Sequence, residues 1–149
     1  MQFIKAEAAF KKGDKAMAFD AYNKAISAHM DFANVSATEK AKYLASKAVV
    51  QSSGNLTLSD IMLQKYIAMA MHGSLETWVD LRRYHYDPAV YTGFALPPIN
   101  SLYQDNAGKP AYRMRPRYNS EYVWNLKSLA VYGGDKPDYH TVEQWFSKQ

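Results

Sequence analysis

Two carboxylates are the first residues in this sequence that could do chemistry. Glu76 and Asp80 lie four positions apart in a helical pattern, so they share one face of the predicted helix. Such a pair could supply the acid and base of a glycoside hydrolase. Arg82 and Arg83 follow at once, however, and a carboxylate paired with a guanidinium is a poor candidate for an acid of raised pKa. The pattern favours structural ion pairs over catalysis, and we predict that the chain is not an enzyme.

Metal-ligand and nucleotide motifs are absent from the sequence. The chain has no cysteine, which excludes thiol catalysis, disulfides and cysteine-based metal centres. It has neither HExxH nor any of the motifs GxSxG, GxGxxG and P-loop. Four histidines show no metal-ligand spacing: His29, His72, His85 and His140. We therefore expect no metal and no cofactor.

Three arginines alternate along the segment 113–117, at Arg113, Arg115 and Arg117. In an extended chain they point to one side and could bind phosphates or RNA. The net charge is only +4 and the basic residues are spread along the chain, so no broad basic face is indicated. We predict that these arginines fasten the loop to acidic side chains or to carbonyls, and that nucleic acid is not a partner.

Aromatic residues in and beside the irregular segment offer another kind of chemistry. Planar rings can stack on sugars while amides such as those of Asn100 and Gln104 bind sugar hydroxyls. The same composition is also typical of ordinary loop packing, so both interpretations stay open. The candidate glycan-binding residues are Tyr86, Tyr91, Phe94, Tyr103 and Tyr112.

Helices must position these residues, and the first two form a hairpin. Apolar residues recur through residues 2–12, Gly13-Asp14 ends that helix and caps the next, and a second stripe reaches Met30. Small residues such as Ala6 and Ala21 give the pair a resemblance to one tetratricopeptide-type unit. Stacked repeats need about three copies to close a core. Either residues 40–80 cover the open face, or the chain is a piece of a longer protein.

The remaining pattern predicts an all-α chain with a long irregular loop. Five of the six prolines lie in the segment from Asp87 to Pro116, which has no helical period. Further helices are predicted at Thr38 to about Gln51, at Thr57 or Ser59 to Gly73, at Leu75–Arg83 capped by Ser74, at Ser120 to Leu129, and as a last turn at Thr141 to Phe146 that docks Trp145 and Phe146. The chain thus divides into a hairpin (1–35), helices (36–86), a long loop (87–117) and a C-terminal helix and tail (118–149).

Three ordered blocks, Ile61–Ala68, Glu76–Arg83 and Arg115–Asn125, resemble the C-terminal part of the SusD/RagB family. In that family a Q-K-Y/W segment, an E-x-W-x-D-x-R-R segment and a Y-P-x-S-E-x-x-x-N segment recur in this order. The first two are present here as Gln64-Lys65-Tyr66 and as the residues from Glu76 to Arg83. In the third, Asn119 stands where the family commonly has proline.

The resemblance implies an outer-membrane lipoprotein of the Bacteroidetes type that faces outward. Its expected role is non-catalytic binding of a glycan or other nutrient, which it delivers as oligosaccharide to a SusC-like TonB-dependent transporter. Membrane contact is expected only through a lipid anchor absent from this chain, which is itself soluble. The alternative is a helical scaffold or peptide-binding module with no sugar affinity. The resemblance also implies a structural polar network, whose members are Glu76, Asp80, Arg82, Arg83 and Glu121.

Overall fold

The computed structural model describes residues 1–148, which form helices, turns and loops without a strand. The predicted all-α class is confirmed. None of the described helices is both long and apolar enough to cross a membrane. The chain forms two compact units: Met1–Leu81 with Asp87–Gly93, and Arg82–Tyr86 with the residues from Phe94 onward.

The first unit is built on helices joined by short turns. They are α1 (Gln2–Lys11), α2 (Lys15–Phe32), α3 (Ala37–Leu44), α4 (Leu58–Met69) and α5 (Ser74–Arg83), of which α5 runs on into the second unit. Asp14 caps α2 as predicted, because its carboxylate accepts a hydrogen bond from the Met17 amide at 2.9 Å. Fully buried alanines, among them Ala6 and Ala21, pack between the elements of the hairpin.

Tyr22 lies in the centre of this core with its ring fully buried. Burial raises the pKa of its phenol to about 12, aided by the charge of Asp60 and by Tyr43 and opposed by a backbone hydrogen bond at Val50. A raised pKa in the folded state adds stability below the unfolded pKa, which is 10.0, and this stability is lost as the pH rises towards 12.

We therefore expect Tyr22 to contribute a loss of roughly 2–3 kcal/mol in unfolding free energy between about pH 10 and pH 12. Urea unfolding on both sides of this range measures the loss. Tyr22→Phe is expected to show a shallower decline, and Tyr103→Phe, a change at an exposed tyrosine, is the control. An equal alkaline decline in Tyr22→Phe and wild type would contradict the assignment.

Helix α3 is much shorter than predicted, since it ends at Leu44 instead of about Gln51. Two side chains replace the helical hydrogen bonds. Ser46 donates from its hydroxyl to the Tyr43 carbonyl at 2.7 Å. The Gln51 amide donates to the carbonyls of Leu44, Ser46 and Val49 at 2.9, 3.1 and 2.7 Å. Side chains that bind nearby backbone in this way compete with helix formation.

Helix α4 begins where the sequence predicts, at a cap formed by Thr57. The Thr57 hydroxyl accepts from the Asp60 amide at 3.2 Å, and the Asp60 carboxylate accepts from the Thr57 amide at 2.9 Å. The helix ends at Met69, and three turn residues lead to Gly73. Ser74 is the first residue of α5 instead of its cap, and the Gly73 carbonyl accepts the Thr77 amide at 2.9 Å.

The second unit consists mostly of loops and short helices. Its elements are three 3-10 turns (Ile99–Ser101, Gln104–Asn106, Tyr139–Thr141), a π-helical turn (Tyr118–Val123) and α6 (Leu126–Val131). The prediction of one helix from Ser120 to Leu129 is wrong because Asn125, at φ −129° and ψ 24°, is not helical and separates two elements.

The predicted last turn, Thr141 to Phe146, is also wrong in its placement. The helical turn lies earlier, at Tyr139–Thr141, and Val142 is extended with φ −78° and ψ 126°. Trp145 is 85% exposed and does not dock. Phe146 is half-buried, and its ring lies 4.9 Å from the Arg82 guanidinium carbon.

Candidate functional site

A buried ionic cluster joins three helices of the first unit, α1, α4 and α5. Lys65 on α4 places its ammonium 2.6 Å from the Asp80 carboxylate on α5 and 3.8 Å from the Glu7 carboxylate on α1. The side chains of Lys65, Glu7 and Asp80 are 13%, 7% and 7% exposed. Sequence reasoning proposed Asp80 for such a network and missed Glu7 and Lys65. The available signal was Lys65 itself, a charged residue within the apolar stripe of α4.

The other residues of the predicted polar network differ in their surroundings. Glu76 is exposed and forms no ion pair within residues 1–148. Glu121 accepts a hydrogen bond from the Asn125 amide at 2.9 Å. Arg83 lies 5.3 Å from the ring centre of Tyr84. Glu76 and Asp80 therefore share a helix but not an environment.

Arg82 is the buried cation of the second unit. Its guanidinium donates to the Tyr112 carbonyl at 2.8 Å and lies over the Phe146 ring. Burial lowers the pKa of Arg82, an effect that Tyr86 partly offsets. These contacts tie the end of α5 to the loop that carries Tyr112.

The alternating arginines bind carbonyls, one of the outcomes that the sequence predicts. Arg113 donates to the Val142 carbonyl at 2.7 Å and to the Glu143 carbonyl at 2.8 Å. Arg115 donates to the carbonyls of Lys136 and Pro137. Both arginines fasten the long loop to the C-terminal segment.

An open cavity of about 780 Å³ lies within the second unit. Its walls come from the turn after α5, from the loop before Arg113 and from the segment around the last 3-10 turn. The lining residues are His85, Lys109, Pro110, Tyr112, Asp138, Thr141, Val142, Glu143 and Lys148. Polar groups of both charges thus converge on one concave surface.

The backbone beside this cavity is strained at His85 and Tyr86. Both residues are left-handed, with φ of 49° and 56°, a conformation that costs a non-glycine residue about 1 kcal/mol or more. His85 Nε2 donates to the Ser147 carbonyl at 2.6 Å and lies 3.5 Å from the Glu143 carboxylate. The Tyr86 hydroxyl donates to the Ala111 carbonyl. Side-chain hydrogen bonds therefore hold the strained pair in place.

Tyr112 lines this cavity with a nearly fully buried side chain. Burial raises the pKa of the Tyr112 phenol, and the charge of Glu143 and then Tyr86 raise it further. The neighbouring backbone is fixed, because the Tyr112 amide donates to the His140 carbonyl at 2.8 Å.

A comparison with protein families identifies the family of this chain. A SusD-like family model, described as starch-binding associating with outer membrane, matches residues 1–115. The chain belongs to the SusD-like family. Comparisons with curated proteins and with solved structures give no significant match.

The region matched by the SusD-like model covers two of the three sequence blocks. It contains the blocks Ile61–Ala68 and Glu76–Arg83, whereas nearly all of the block from Arg115 to Asn125 lies beyond it. The family role is starch or glycan binding in association with the outer membrane, a role of binding proteins and not of enzymes.

The five predicted glycan-binding residues of this SusD-like chain lie in different surroundings. Tyr91 is buried in the first unit. In the second unit, Tyr86 stacks on half-buried Phe94 with ring centres 6.2 Å apart and meets Tyr112 edge to face at 5.8 Å. Tyr103 is 68% exposed. Three of the five rings are therefore buried, Phe94 is half-buried, and Tyr103 is exposed.

The first unit contains an open apolar groove of about 350 Å³ between the ends of α2 and α4. The Phe32 ring meets the His72 ring edge to face with centres 5.1 Å apart. The lining residues are His29, Phe32, Ala33, Ile67, Ala68, Met71 and His72. No group of three or more potential metal-ligating side chains occurs among residues 1–148.

Proposed function

We propose that this SusD-like chain binds a glycan at the extracellular face of the outer membrane and delivers oligosaccharide to a SusC-like TonB-dependent transporter. The observation that carries the proposal is the family match over residues 1–115. In this proposal a lipid anchor attaches the protein to the membrane. The binding step needs no acid or base, which agrees with Asp80 being paired to Lys65 and with Glu76 lying far more exposed.

In this proposal Tyr103 is the leading candidate for an aromatic contact with the glycan. It lies on the long loop beside the 3-10 turn Gln104–Asn106, and its exposed ring can stack on the apolar face of a sugar. The other four candidates stay predicted glycan contacts: Tyr86, Tyr91, Phe94 and Tyr112. Because their rings are buried or half-buried, packing that stabilises the protein is favoured for them over stacking on a sugar. Several such weak contacts along an oligosaccharide add up to useful affinity.

Tyr103→Ala is expected to weaken maltoheptaose binding by about threefold to tenfold, because an aromatic contact contributes about 0.5–1.5 kcal/mol. Isothermal titration of the chain with maltoheptaose measures the change. Tyr132→Ala, which removes another exposed tyrosine of the second unit, is the matched control and should leave the affinity unchanged. A wild-type chain that binds no glucan would contradict the proposed function.

A peptide-binding scaffold is the second candidate function. The apolar groove between α2 and α4 favours it, since Phe32, Ile67 and Met71 are all exposed there. The same titration separates the two functions. Binding of an amphipathic helical peptide without any binding of maltoheptaose would support the scaffold.

A further inference from the structure

We propose that residues 142–148 form a strap that detaches reversibly from the second unit and so opens the cavity beside Tyr112. In the structure the strap is docked, and it supplies three of the residues that line this cavity: Val142, Glu143 and Lys148. Detachment removes that side of the cavity. The inference concerns the movement of a segment and does not depend on the glycan-binding function proposed above.

The strap has little structure of its own. The Ser147 and Lys148 amides both donate to the Gln144 carbonyl, at 3.0 and 3.2 Å, and the Ser147 hydroxyl donates to the same carbonyl at 3.0 Å. A single turn of this kind is not stable in water without tertiary contacts. The strap therefore keeps its shape only while it is docked, and its amides lose their hydrogen bonds when it detaches.

Arg113 holds the base of the strap, which consists of Val142 and Glu143. Its guanidinium group donates to the carbonyls of both residues, at 2.7 and 2.8 Å. The Val142 amide also donates to the Tyr139 carbonyl at 3.2 Å, in the preceding 3-10 turn. These bonds fix the base in place, so the base is the hinge about which the rest of the strap moves.

The tip of the strap, Phe146 and Ser147, is held by two side chains from the end of α5 and the turn after it. The Arg82 guanidinium carbon lies 4.9 Å from the Phe146 ring centre, and His85 Nε2 donates to the Ser147 carbonyl at 2.6 Å. Phe146 is only half-buried and Trp145 is 85% exposed, so docking removes little apolar surface from water. We therefore expect the tip to detach at a lower free-energy cost than the unfolding of the unit.

Backbone strain next to the tip lowers the cost of detachment further. His85 and Tyr86 are both left-handed, with φ of 49° and 56°. Residues with a Cβ are strained in this region, and the strain persists only while surrounding contacts hold it. One of these contacts is the hydrogen bond from His85 to Ser147, which detachment breaks. The His85 backbone can then relax, and this gain offsets part of the contacts that are lost.

Amide hydrogen exchange of the full chain, followed by NMR, tests the proposal. We expect the protection factors of the Ser147 and Lys148 amides to lie below that of the Tyr112 amide by about tenfold or more, because they exchange through local detachment. The Tyr112 amide donates to the His140 carbonyl at 2.8 Å, outside the strap, and reports on unfolding of the second unit. Urea well below the unfolding midpoint should lower only the Tyr112 factor, since a local opening exposes little new surface.

Phe146→Ala should lower the protection of the Ser147 and Lys148 amides by a further factor of about five to thirty, because one cation–π contact with Arg82 is lost. The protection of the Tyr112 amide should change much less. Trp145→Ala is the matched control. It removes the neighbouring aromatic side chain, which is exposed, and should leave all three amides nearly unchanged.

Either of two results would overturn the strap. One is that the Ser147, Lys148 and Tyr112 amides share the same protection and the same urea dependence, because the segment then opens only with the whole unit. The other is equal protection of the Ser147 amide in Phe146→Ala and in wild type, because the ring over Arg82 then does not hold the tip. Titration with maltoheptaose is a separate measurement, so failure of the strap leaves the proposed function standing, and failure of the proposed function leaves the strap standing.

Discussion

Replacing Lys65 by methionine is expected to lower the free energy of unfolding by about 3–5 kcal/mol, because it removes the cation from a buried ion pair. The Lys65 ammonium lies 2.6 Å from the Asp80 carboxylate and 3.8 Å from that of Glu7. Both carboxylates would stay in a nearly water-free position after the change. Methionine keeps most of the length and apolar volume of the lysine stem, so the loss reports on the charges and not on a cavity.

Urea unfolding of the single variants and of a double variant measures this effect. Lys24→Met is the matched control, because Lys24 forms an ion pair with Asp20 at 2.8 Å on the exposed face of α2. Exposed pairs of this kind are worth about 0–1 kcal/mol. In the double variant Lys65→Met with Asp80→Asn, part of the lost stability should return, since one of the two buried carboxylates is replaced by a neutral amide. A Lys65→Met chain as stable as Lys24→Met would refute the buried cluster.

The beginnings of α2 and α4 could be predicted from the sequence because local chemistry determines them. Asp14 and Thr57 are capping residues whose side chains bind amides three positions ahead, so their role depends on nothing distant. The end of α3 could not be predicted, because it depends on Gln51 reaching back to the carbonyls of Leu44 and Ser46. A pattern of apolar residues carries no information about that reach.

Contacts between residues that lie far apart in the sequence could not be predicted either. Glu7 and Lys65 come together only when α1 packs against α4, and nothing in either segment alone identifies the other as its partner. The aromatic residues of the loop had two open interpretations, stacking on sugar or packing in protein. Of these residues Tyr91 is the most buried, at 2% exposed, and Tyr103 is the most exposed, at 68%, although the sequence assigned both to the same irregular segment.

Arg82→Ala is expected to lower the free energy of unfolding by about 2–4 kcal/mol, the combined effect of a charged hydrogen bond and a cation–π contact. Arg82 is 6% exposed, donates to the Tyr112 carbonyl at 2.8 Å, and lies 4.9 Å from the Phe146 ring centre. Arg82→Lys should recover only part of the stability, since an ammonium lacks the planar face that stacks on an aromatic ring. Urea unfolding measures both variants.

The matched comparison is Glu76→Ala on the same helix. The sequence motif predicts a place in one polar network for both residues, whereas the structure buries Arg82 and leaves Glu76 exposed. We expect Glu76→Ala to change stability by no more than about 0.5 kcal/mol. Equal and large losses in both variants would contradict the exposed position of Glu76.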